Sequence, residues 1–109
     1  MPKFLLQVTF NQEAAKRLIE EGGTKRAAAV QELLKQQEAR LESLYFSPQN
    51  EGPDAFAIVE VPVGGGDILG TIALAGRTAG ITLIARRIFT PEELDKLAAK
   101  SKSIPVPGK

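Results

Sequence analysis

Few side chains in this sequence are equipped for chemistry, and the carboxylates come first. Asp54 follows Gly52 and Pro53 and opens the run "AFAIVEVP", in which Glu60 is the single charge. A carboxylate at a strand end or inside an apolar strand can take up a proton, hold a cation or pair with an arginine. Arg86 and Arg87 are adjacent, so in a strand one points to each side, and either fork suits a carboxylate or a phosphate. Tyr45 is the only tyrosine and the best remaining hydroxyl. There is no cysteine and no histidine, which excludes a thiolate nucleophile, a Cys-ligated metal and the usual neutral-pH base. No metal site and no cofactor are therefore expected. Each candidate also has a plainer reading: Asp54 as a turn acid bonded to backbone N–H groups, Glu60 as half of an ion pair, Tyr45 as a packed ring.

The elements that must position these groups follow from periodicity. Lys3 to Phe10 alternates, with Phe4, Leu6, Val8 and Phe10 on one side and Leu5, Gln7 and Thr9 on the other, the pattern of a half-buried strand. Asn11 can cap a helix, and the apolar stripe that follows is interrupted at Gly22-Gly23. Thr24 is placed to cap a second helical piece, which runs to about Ala39. Arg40 to Ser47 and Asp54 to Val61 read as two strands joined across the turn-rich "SPQNEGP". "VGGGD" leads into a small-residue helix, Ile68 to Arg77, with Asp67 as its capping acid. Ile81 to Phe89 reads as a fourth strand. "TPEEL" is a capping box with proline at the first helical position, and the last helix runs to about Lys100. Residues 1–100 thus form one domain, and residues 101–109 a proline-punctuated tail.

The order β-α-β-β-α-β with an added helix is the ferredoxin-like arrangement, an α+β fold in which helices cover one face of a four-stranded antiparallel sheet. The uncovered face would carry Leu5, Gln7, Thr9, Ser43 and Tyr45, with the larger set Phe56, Ile58 and Glu60 assigned outward, and from the fourth strand either Thr82, Ile84, Arg86 and Ile88 or Leu83, Ala85 and Arg87. Such a face is too apolar to leave in water and too polar for a pure core. It suits a sheet that packs on a copy of itself about a two-fold axis. A homodimer or larger homo-oligomer is expected, with a small organic ligand in the enclosed space against Gln7, Thr9, Tyr45, Glu60 and Arg86, and with Gly52 and Asp54 at the rim.

The chain resembles the GYD domain family. The pieces that carry the resemblance are "MPKFLLQVTF", "EEGGTKRAAAVQELL", "LESLYF", "EGPDAFAIVEVP" and "IFTPEEL", which run in the family's order up to about residue 100. Where the family has Gly-Tyr-Asp, this sequence has Gly52-Pro53-Asp54, so the aromatic hydroxyl is missing. The resemblance implies association as a dimeric α+β barrel and adds no reaction.

Three functions stay open at this level: a small-ligand binding module, a cofactor-free monooxygenase or isomerase in which Glu60 or Asp54 moves a proton, and a purely structural assembly protein. "GGGDILG" lacks the lysine and the glycine spacing of a nucleotide loop. A net charge of +1, with no basic stripe, gives no case for nucleic acid. The charges of "KRAAAVQELLKQQEARLE" read as a solvated helix face. No signal segment and no membrane span are visible, so a cytoplasmic protein without a membrane partner is expected.

Overall fold

A computed structural model describes residues 1–49 and 51–108. Asn50, within the predicted Ser47–Pro53 turn region, and Lys109, at the end of the predicted tail, lie outside the described residues. The elements are β1 (Lys3–Phe10), α1 (Gln12–Glu21), α2 (Gly23–Gln36), β2 (Arg40–Phe46), β3 (Ala55–Glu60), α3 (Gly66–Thr78), β4 (Ile81–Ile88) and α4 (Pro91–Ser101). The fold is α+β, with one four-stranded antiparallel sheet ordered β2-β3-β1-β4.

Alternation decides which way each strand faces. Phe4, Leu6 and Val8 of β1 stand opposite Val59, Ala57 and Ala55 of β3. Together with Leu41, Leu44 and Leu83 they pack beneath the helices, around a core of Leu6, Leu34, Ala39, Ala57, Val59, Val61 and Leu69. Val59 is fully buried at its centre. Helix α2 packs on β2 and α3 on β4, while α1 touches β1 and α2. The two flanking helices make no extended contact with each other across the central strands.

The helix starts hold two corrections. Asn11 caps α1 as its side chain predicts, its Oδ1 accepting from Ala14 N at 2.9 Å. The break in the first helical region is real, but Gly22, at φ 84°, ends α1 and precedes α2, and no side chain caps α2. Thr24 falls inside the helix, because the left-handed glycine already turns the chain. Likewise Asp67 is in the first turn of α3 and the cap position belongs to Gly65. The "TPEEL" box forms in full: Thr90 Oγ1 accepts from Glu93 N at 3.1 Å, and Glu93 Oε1 accepts from Thr90 N at 2.9 Å.

Two turns hold the sheet's ends. Gly80, at φ 75°, accepts from Asn11 N at 2.8 Å. A Cβ there would lie 2.2 Å from Asn11 Oδ1, so both the backbone conformation and the space require glycine. In β2 the register shifts between Leu41 and Ser43. That irregularity leaves Glu42 without a partner across the ladder and bends the edge strand.

Helix α4 stands apart. It shares no substantial packing with any other element, and Leu94, Leu97, Ile104 and Val106 are exposed along it and the segment beyond. The radius of gyration is 16.6 Å, against about 13 Å for a compact chain of this length. The long axis of 55 Å reflects that projecting arm.

Candidate functional site

The uncovered face of the sheet gathers the candidate residues into rows. One row runs Tyr45, Phe56, Gln7, Ile84 across β2, β3, β1 and β4, and the next runs Ser43, Ile58, Leu5, Arg86. A third runs Arg40, Glu60, Lys3, Ile88. Thr9 stands beyond the first row, opposite Thr82. All five predicted lining residues, Gln7, Thr9, Tyr45, Glu60 and Arg86, therefore share one face. The larger residues of β3 point this way, because the alanines and valines of the alternate set fill the helix side. Tyr45 is 72% exposed and Ile84 56%, so a band of ring and aliphatic surface stands open to water.

Glu60 is not a free acid. Its side chain is 15% exposed and its Oε1 lies 3.0 Å from Arg40 Nη2 and 3.5 Å from Lys3 Nζ. Its partners within the chain are these two cations, not Arg86 or Arg87. Lys3 Nζ also donates to both carboxylate oxygens of Glu42 at 2.9 Å. That hydrogen bond, with the charges of Glu42 and Glu60, holds the lysine pKa above its ordinary value against the opposing effect of desolvation. Sequence reasoning passed over Lys3, Arg40 and Glu42. The register shift in β2 brings Glu42 to Lys3, and alternation alone cannot locate such a shift.

Asp54 and Gly52 sit at the entry to β3. Asp54 Oδ2 accepts from Phe10 N at 2.8 Å, its own N donates to Val8 O at 2.8 Å, and its carbonyl accepts from Ser47 N at 2.7 Å. The carboxylate thus ties the end of β1 to the start of β3, the turn-acid reading of this residue. Gly52 has φ 97° with open space around its Cα, so its backbone conformation is what calls for glycine. Arg87, on the helix side, bonds Glu93 Oε2 at 3.2 Å and the carbonyls of Lys3 and Ile88. It also lies over the Phe89 ring at 4.2 Å. It fastens the base of α4.

A second concavity lies on the opposite side of the sheet. Because α2 and α3 stay apart, a cavity of about 410 Å³ opens between them above β1 and β3. Its walls are almost wholly apolar, with Leu6, Val8, Ala57, Val30, Leu34 and Ile72 among them. Ala57, on its floor, is 4% exposed. Arg26 lines this cavity, which corrects the expectation of a wholly solvated α2 charge set. Its place was legible: residues 26, 30, 33, 34 and 37 fall on one helical stripe. Arg26 Nη2 lies 3.3 Å from Glu21 Oε2, its guanidinium lies 6.0 Å from the centre of the Phe10 ring, and its Nε is buried with no hydrogen-bond acceptor.

Among the described residues no cluster of acidic side chains is placed to hold a metal ion. Among the same residues no helix is long and apolar enough to cross a membrane. Comparison of the chain with family models, curated proteins and solved structures gives no match.

Proposed function

We propose that the protein is a self-associating binding module, in which two copies pair through their uncovered sheet faces and enclose a small organic ligand. The observation that carries this reading is the composition of that face. Leu5, Phe56 and Ile58 stand in adjacent register positions, Ile84 lies across Gln7 from Phe56, and Thr9, Tyr45 and Arg86 stand around them. An apolar face with polar groups within and around it is what a two-fold interface around a partly polar space requires. The strand order supports a ferredoxin-like assignment, and with it the resemblance to the GYD domain family and its dimeric barrel association.

Binding is preferred to catalysis because both candidate acids are occupied. Glu60 is held by Arg40 and Lys3, and Asp54 by the backbone of Phe10. An enzyme would need one of them facing an anion holder across a common space.

Light scattering on a sizing column, over a dilution series, tests the association. The expected result is a dimer or larger species that persists on dilution. Ile84→Glu places a charge on the open face at an exposed position of the edge strand β4, so the chain still folds, and it is expected to shift the mass toward monomer. A monomer at every concentration of the unmodified protein would overturn both the pairing and the enclosed site.

A further inference from the structure

The cavity between α2 and α3 plays no part in the pairing just described, since it lies on the opposite side of the sheet. Its volume of about 410 Å³ falls within the ~300–1,000 Å³ that houses small organic ligands. Its floor and walls offer hydrocarbon, and its polar groups are few: Arg26, Gln37 and Thr71. A buried guanidinium N–H with no acceptor is costly unless something fills the place. Arg26 Nε has no acceptor but is itself sealed from a water-sized group, so a ligand would meet the remaining N–H groups of this partly exposed guanidinium. Glu21 approaches Nη2 through Oε2 at 3.3 Å, and a carboxylate so placed cannot occupy all five N–H groups of the fork, which leaves donors for another oxygen. A hydrocarbon-walled cavity with one incompletely bonded arginine on its lining selects a molecule with one anionic head and an apolar body.

We infer that this cavity binds an apolar monocarboxylate, with the hydrocarbon body between α2 and α3 above the central strands and the carboxylate on Arg26. The test is isothermal titration of the full chain with decanoate, below its micellar range, and in parallel with decan-1-ol, which has the same tail and no charge. Methyl chemical shifts of Val30, Leu34 and Leu83 locate the bound molecule. Decanoate is expected to saturate at one per chain, to move those methyls and to bind more tightly than the alcohol. Arg26→Gln removes a charge-assisted contact and is expected to weaken decanoate by about tenfold or more, while leaving decan-1-ol nearly unchanged. Ala75 lines the cavity from an exposed position on α3, so Ala75→Phe narrows it without disturbing the core and is expected to block both.

The inference is overturned by any of three results: no saturable binding of decanoate, equal binding of acid and alcohol with no response to Arg26→Gln, or shifts confined to Leu5, Ile58 and Ile84 on the opposite face. Because the readout is one molecule per chain, it stands or falls separately from the mass of the assembly.

Discussion

At the scale of single residues, Asp54 shows how an acid that looks available can be committed to the backbone. Its carboxylate takes the N–H of Phe10, which keeps the end of β1 beside the start of β3. Asp54→Ala leaves that half-buried donor without an acceptor and is expected to lower stability by about 1–3 kcal/mol, measured by urea denaturation. Asp54→Asn, which keeps an accepting oxygen, should lose much less. A catalytic role would give the opposite pattern, with stability kept and activity lost. Glu60 and Arg86 share a face but sit on strands separated by β1. Alternation put Glu60 with Phe56 and Ile58, and Arg86 with Thr82, Ile84 and Ile88, but which side of the sheet each set faces came only from the strand pairing. The partners of Glu60 were not legible either, because Arg40 and Lys3 come to it only through strand pairing far apart in sequence.

At the scale of elements, local signals were read well where they are self-contained. The Thr90–Glu93 box lies within four residues and forms as its chemistry dictates, whereas the caps assigned to Thr24 and Asp67 were displaced by glycines that turn the chain earlier. The box also sets a pH response. The backbone N–H of Thr90, and then Arg87, hold the Glu93 carboxyl below the usual glutamate value. A group depressed in the folded state stabilises fully above its unfolded pKa and loses that contribution as pH falls through the folded value. The start of α4 is therefore expected to loosen in acid, below the ordinary glutamate range, seen as faster amide exchange at Leu94 and Asp95. Glu93→Gln should exchange at a rate that depends less on this titration. The separation of α2 from α3 was not legible, because a sequence stripe shows which side of a helix is apolar but not how far away its neighbour stands.

At the scale of the whole molecule, the chain has more apolar surface than one copy can cover. The sheet face is open, and α4 carries Leu94 and Leu97 into solvent with Ile104 and Val106 beyond them. A self-associating protein gives both surfaces somewhere to go. Removal of residues 91–109 is expected to leave the sheet and its core intact, since α4 has no substantial packing within the chain. It should weaken the assembly, so that dissociation appears at higher protein concentration in the same dilution series. An unchanged mass profile would confine the association to the sheet face.

The sheet order also carries a consequence in time. β1 is made before β2, β3 and β4, yet it lies in the interior of the sheet, between β3 and β4, with Lys3 meeting Glu60 on one side and Ile88 on the other. A growing chain cannot complete either ladder until its distant partners leave the ribosome, and pairings of such long reach are slow to form. During that interval Phe4, Leu6 and Val8 have no sheet to join and can associate with the wrong neighbour. The strand whose alternation is plainest in the sequence is thus the one whose final position depends on partners synthesised long after it.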